Sequence, residues 1–148
     1  MVFGFEKLEV WSQAMDLVGS VYKATVSFPP YEQFGLTSQI RRASVSIPVN
    51  IAEGKGRYHR KEYLQFLYNA RGSLYEVVTL LKLALNFRYL PEVEYQQLAQ
   101  LTERVMSKLS GLINFLKSGL LKAQGSRLKG QVLSSLQPPA SSPFSLEP

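Results

Sequence analysis

The sequence predicts an all-α protein built as an antiparallel, up-down four-helix bundle. Three observations predict it. Apolar residues recur at spacings of three and four from Leu8 to about Leu116. No segment sustains the two-residue alternation of a half-buried strand. The later breaks in the pattern are short and carry glycine or proline, which makes consecutive helices antiparallel neighbours. At 148 residues and 45% hydrophobic composition, the chain is long enough for one domain with a core of its own.

The first helix is predicted over Leu8 to Ser27, where Val10, Trp11, Ala14, Leu17, Val18, Val21 and Tyr22 form one stripe and Pro29-Pro30 ends it. The second is predicted over Thr37 to Glu53, with Ile40, Ala43, Ile47 and Ile51 facing inward and the Thr37 hydroxyl as N-cap. Pro48 removes one backbone hydrogen bond and crowds the Ser44 carbonyl, which predicts a kink there. Ser44 and Ser46 are placed to satisfy the freed backbone groups. Gly54 and Gly56 predict a C-terminal cap in which positive φ closes the helix.

The third helix is predicted over Arg60 to Phe87, on Tyr63, Phe66, Leu67, Ala70, Leu74, Val77, Val78, Leu81 and Leu85. Leu64, Tyr68, Arg71 and Tyr75 form a flanking stripe beyond what a monomeric bundle requires, which predicts an oligomer interface. Gly72 costs about 1 kcal/mol relative to alanine within a helix and predicts the close approach of another backbone. The fourth helix is predicted over Pro91 to Lys117, with Pro91 in its first turn and Tyr95, Leu98, Thr102, Val105, Leu109, Leu112 and Leu116 inward. Gly119, Gly125, Gly130 and the closing QPPASSPFSLEP then predict a flexible tail. The domain reading is therefore a bundle over 1–118 and a tail over 119–148. Leu128, Val132 and Leu136 share one face, so a short helix near 127–136 is compatible with the tail if something docks it.

The composition removes several kinds of activity. Without cysteine there is no disulfide framework, thiol chemistry or cysteine-ligated zinc, and a reducing cytoplasm is the expected setting. No leader pattern opens the chain and no apolar run approaches the ~20 residues of a membrane span, so no membrane partner is expected. His59 is the single histidine and Asp16 the single aspartate, and no GxSxG turn presents a serine. His59 and Glu62 reverse the Glu-x-x-His spacing of carboxylate metal bundles and lack a second histidine. The GKG at Gly54 to Gly56 lacks both the GxxxxGK[ST] pattern and a preceding strand. No enzyme, metal or cofactor is expected.

Charge is the more informative property. The chain carries a net +6, and Thr37 to Lys61 holds six basic residues against one acid, Glu53. Lys55, Arg57, Arg60 and Lys61 surround the predicted start of the third helix, whose positive dipole end adds to the same potential. Tyr58 lies among them and offers a face for base stacking. Three readings stay open: an RNA or DNA backbone, an acidic protein partner, or a solvated cluster that keeps the protein soluble. Arg41 and Arg42 are also counted as candidate nucleic-acid contacts; they point about 100° apart on their helix, and Glu53 lies about 16 Å beyond Arg42, too far for a pair within one helix. Ser44, Ser46 and Asn50 fall near a buried face, where each needs a partner, so hydrogen bonds between helices are expected.

FEKLEVW, FGLTSQIRRASVSIPVNIAEGKGR and YLQFLYNARGSLYEV closely resemble the four-helix-bundle proteins first noticed in intervening sequences of bacterial 23S ribosomal RNA genes. That family also includes the accessory variability determinants of diversity-generating retroelements. The resemblance spans roughly Phe5 to Phe115. It implies a homo-oligomeric ring, usually a pentamer, without catalytic activity. For the retroelement members it implies a basic surface on nucleic acid and a reverse transcriptase as partner. Arg41, Arg42, Ser46, Ile47, Pro48, Asn50, Glu53, Gly54 and Arg57 occupy the signature positions.

Overall fold

The computed structural model describes residues 1–136. Four helices make up nearly all of it: α1 (Glu9–Thr25), α2 (Leu36–Lys55), α3 (Arg60–Asn86) and α4 (Glu92–Ser135). A 3-10 turn, Gly4–Lys7, precedes α1 and another, Pro30–Glu32, lies between α1 and α2. No strand occurs among the described residues. Each helix packs on two neighbours, α1 on α2 and α4, and α3 on α2 and α4, with no close backbone approach across either diagonal. The four therefore stand at the corners of a square. Short connections over 56–59 and 87–91 make consecutive helices antiparallel. Leu17, Ile40, Ile47, Ile51, Leu67, Leu74, Leu81 and Leu109 are fully buried along the axis.

Three buried hydroxyls are satisfied within their own helices. The Thr25 hydroxyl donates to the Val21 carbonyl at 2.8 Å, Ser44 to Arg41 at 2.8 Å and Thr102 to Leu98 at 2.7 Å. This leaves the core free of orphaned hydroxyls on α1, α2 and α4.

The bundle has two chemically different ends. At one, the loop after α1 and the loop after α3 meet through aromatic rings. Buried Phe28 packs on Tyr89 with centroids 5.8 Å apart, and the Tyr31 and Tyr89 hydroxyls lie 3.3 Å from each other. The hydrogen bond to Tyr31 pushes the Tyr89 pKa up to about 12. At the other end, Phe5 of the N-terminal turn packs on Trp11 at 5.3 Å, beside the α2–α3 turn.

Helix termini depart from the sequence reading in instructive ways. Thr37 is not the N-cap of α2. It is buried in the first turn, and the Glu32 carboxylate accepts the Leu36 N–H at 2.6 Å instead. A Cβ at Gly35 would lie 2.8 Å from that carboxylate oxygen, so glycine makes room for the cap. Neither glycine closing α2 adopts positive φ; Gly56 sits at φ −77 and donates its N–H to Ala52 in an ordinary last turn. The helix runs continuously through buried Pro48. The freed Ser44 carbonyl is met by neither serine, since Ser44 Oγ donates to Arg41 and Ser46 Oγ bonds Ser73 on α3.

The largest difference is in α4. Pro91 is its N-cap rather than part of its first turn, and the helix does not end at Lys117. It continues through Gly119, Gly125 and Gly130 to Ser135, so 119–135 is helical where a tail with a short helix near 127–136 was expected. Leu116 is the last core residue, Leu120 packs on its edge, and every residue from 121 to 136 is exposed. The closing QPPASSPFSLEP lies outside the described residues.

The C-terminus of α3 uses Arg88 in the left-handed region, at φ 61. The Tyr89 N–H reaches the Ala84 carbonyl at 2.9 Å and the Arg88 N–H reaches Leu85 at 3.0 Å, the paired bonds of a Schellman cap. Glycine is the residue suited to that conformation, since a Cβ there crowds the neighbouring carbonyl. Arg88→Gly should therefore raise unfolding stability by about 0.5 to 1 kcal/mol in a denaturant titration. An unchanged or lower midpoint would show that the arginine side chain supplies a compensating contact.

Candidate functional site

The site at the basic end is positioned by a close contact between α2 and α3. Gly54, buried in the last turn of α2, faces the first turns of α3. A Cβ added there would lie 2.8 Å from Tyr63 Cδ2 and 2.9 Å from Phe66 Cβ, closer than side chains pack. Glycine thus lets the Tyr63 ring and the α3 backbone settle against α2. The Tyr63 hydroxyl is buried without a partner, and burial pushes its pKa up.

From that contact the chain turns through Gly56 to His59. The Arg57 guanidinium lies 4.5 Å above the Phe66 ring, so one of the predicted cations is folded back on α3 as a cation–π pair. Tyr58 is 94% exposed, with its ring edge-on to His59 at 5.0 Å. Lys55, Arg60 and Lys61 are exposed. No side chain caps the first amides of α3, which leaves their positive potential open to solvent. Among the described residues the ion pair is Lys108 to Glu9, at 2.9 Å, and none of these basic residues is paired with a carboxylate.

Arg60 reaches over α4. Its guanidinium occupies the space a Cβ at Gly119 would take. Between the first turn of α3 and the projecting part of α4 runs a groove of about 520 Å³ lined by His59, Arg60, Lys61, Glu62, Gln124 and Arg127, with Leu120 and Ala123 completing it. Arg127 is the residue the sequence reading missed. A signal for it exists: from Arg104 through residue 146 the chain carries no acid, while Arg104, Lys108, Lys117, Lys122, Arg127 and Lys129 are all basic. A second groove, about 480 Å³ between the end of α1 and the start of α4, carries Lys23 and Glu94 and so has no charge bias.

Arg41 and Arg42 do not join this site. They precede Lys55 by about 20 Å along α2. Arg41 is half-buried, with its Nε donating to Thr25 Oγ1 at 2.8 Å and its guanidinium 4.8 Å above the Tyr22 ring. It ties α2 to α1. Arg42 and Glu53 are exposed.

Ser46 and Asn50 build a link between α2 and α3. Asn50 Nδ2 donates to the Ser46 carbonyl at 2.8 Å and to Ser46 Oγ at 3.0 Å; Ser46 Oγ lies 2.9 Å from Ser73 Oγ, which donates to the Asn69 carbonyl at 3.2 Å. The donors then run in one direction, from Asn50 through Ser46 and Ser73 to Asn69, and each bond polarises the next.

The stripe assigned to an oligomer interface divides. Leu64 is 5% exposed and belongs to the core, so it cannot face another subunit. Tyr68 packs on the core edge with the Arg71 guanidinium 5.0 Å above its ring, and Tyr75 is 61% exposed. Gly72 has nothing within 4 Å of an added Cβ among the described residues, so none of them approaches it there. Among the described residues no three histidine, aspartate or glutamate side chains gather as metal ligands, and no helix is long and apolar enough to cross a membrane.

Residues 6–111 match the model of the 23S rRNA-intervening sequence protein family. The chain belongs to that family. A solved structure is similar as well, that of a protein with unknown function from the S23 ribosomal protein family of Bacteroides thetaiotaomicron. It shares 21% identity at a TM-score of 0.64 and covers 70% of this chain and 97% of the other. At that identity the likeness concerns the fold. No curated protein matches the sequence. The family match ends within α4, before the projecting segment that lines the groove.

Gly54→Ala tests whether the close contact holds the site in place. The new methyl must push Tyr63 and the α3 backbone outward, at a cost of about 1 to 3 kcal/mol in chemical denaturation. A loss below about 0.5 kcal/mol would show that the two helices separate there without strain.

Proposed function

We propose that this protein is a non-enzymatic, ring-forming bundle that binds the RNA or DNA backbone through the basic turn between α2 and α3. The observation that carries the reading is the gathering of Lys55, Arg60 and Lys61, unpaired by carboxylates, around an uncapped helix start with Tyr58 exposed beside them. Such a surface offers cations, backbone amides and a stacking face together, which is the chemistry a polyanion of bases requires. Arg41 and Arg42 fall outside the proposed contact because of their distance and, for Arg41, its role between helices.

Assembly as a homo-oligomer, with five copies as the family resemblance implies, would repeat the turn around a ring. Tyr75, the Tyr68–Arg71 stack and open Gly72 form the α3 surface offered to the neighbour. By the same resemblance, a reverse transcriptase is the protein partner to test first.

Fluorescence anisotropy with a labelled RNA or DNA oligonucleotide checks the binding. Affinity should fall by about 20- to 40-fold between roughly 50 and 200 mM salt, as expected when about three phosphates are neutralised. Lys55→Glu, Arg60→Glu and Lys61→Glu together should abolish it while leaving the helical circular dichroism spectrum unchanged. Binding that ignores salt or survives the triple variant would refute the nucleic-acid assignment, and retention of an acidic protein partner's binding to the wild type alone would favour an adaptor. Light scattering at micromolar concentration checks the ring, for which a monomeric mass would be decisive against.

A further inference from the structure

The geometry points to a single-stranded nucleic-acid cleft whose second wall is the projecting half of α4, with Arg127 as a phosphate contact opposite Arg60 and Lys61. This rests on the nucleic-acid reading of the basic turn and specifies the form of the ligand and the residues that hold it.

Three observations converge on it. The groove between α3 and α4 has basic side chains on both sides, Arg60 and Lys61 from one helix and Arg127 from the other, against one acid, Glu62. A charged chain lying in it would be neutralised from two directions, whereas a patch on one flat face neutralises from one. Next, the wall is a helix that packs on little else among the described residues. Residues 121 to 136 are exposed throughout, make no contribution to the core, and belong to a stretch with six basic residues and no acid from Arg104 to residue 136. Within the projecting segment itself Lys122, Arg127 and Lys129 are basic and no residue is acidic, a charge pattern that suits an anionic ligand. Last, His59 of the groove lining packs edge-on with the exposed ring of its chain neighbour Tyr58. A free aromatic face beside a cationic groove stacks an unpaired base, which a duplex does not present.

The groove's volume, about 520 Å³, also favours one strand. A duplex is about 20 Å across and would rest on the rim, touching the turn but not the space between the helices. Gln124 adds an amide that can donate to a phosphate or a base edge from within the groove.

The test uses the full chain and a labelled oligonucleotide offered as a single strand and as its duplex. Arg127→Gln removes a charge inside the groove, Ala123→Glu places an anion there without touching the turn, and Lys129→Gln removes a charge on the same exposed helix outside the groove. All three positions are exposed, so the bundle should fold as before. Wild type should prefer the single strand. Arg127→Gln should weaken it about tenfold and lower the slope of log affinity against log salt by about 0.7, the contribution of one phosphate on a single strand. Ala123→Glu should weaken it at least as much, and Lys129→Gln should leave the slope unchanged. Wild-type binding with Arg127→Gln and Lys129→Gln indistinguishable would overturn the cleft while leaving the basic turn intact, and a preference for duplex would do the same. Absence of any wild-type binding at low salt would overturn both.

Discussion

The contact on which the rest of this molecule depends is the one at Gly54. A side chain at this position would have to push the neighbouring helix outward, because its Cβ would lie 2.8 Å from Tyr63 and 2.9 Å from Phe66. With hydrogen there instead, Tyr63 and Phe66 lie directly on the last turn of α2, and the chain can reverse within a few residues. The position of Phe66 then fixes where Arg57 stacks, and the direction of α3 brings Arg60 across Gly119 of α4. Close packing, conformational reversal and placement of charge are thus consequences of one missing methyl. The serine–asparagine link between α2 and α3 acts further along the same pair, holding register where apolar packing alone would allow sliding.

The square arrangement explains why the sequence is easier to read for the fold than for its surfaces. Four helices, their order and most of their inward residues follow from periodicity, because burying an apolar stripe contributes more than anything else to packing a helix. The width of that stripe is less legible. Each helix of a square has two neighbours, so α3 buries one row toward α2 and another toward α4. Leu64 belongs to this broadened face, and reading it as surplus apolar area mistakes a corner helix for one with a single partner.

Helix ends are legible only where the chain has no alternative. Pro29-Pro30 stops α1 because the backbone cannot continue, but glycine merely raises the cost of continuing, by about 1 kcal/mol each. In α4 the intervening residues, rich in leucine, lysine and glutamine, propagate the helix across three glycines. The cap on α2 is hidden for a related reason: it comes from Glu32, four residues before the amide it accepts, and depends on space at Gly35 that spacing alone does not reveal. At the site, the cations of the turn are visible as a local cluster. Arg127 is not, because its charge is averaged into a remainder of the chain that is balanced in total and segregated in detail.

That segregation has a consequence for how the molecule meets its surroundings. Lys55, Arg60, Lys61, Lys117, Lys122, Arg127 and Lys129 belong to the turn end and the projecting helix, while at the aromatic end Glu32, Glu92 and Glu94 are offset by Lys23, Lys82 and Arg88. The positive charge of the protein is therefore gathered toward one end of its long axis. In the field of a polyanion such a body is turned before it touches anything, and it arrives with the same end forward each time.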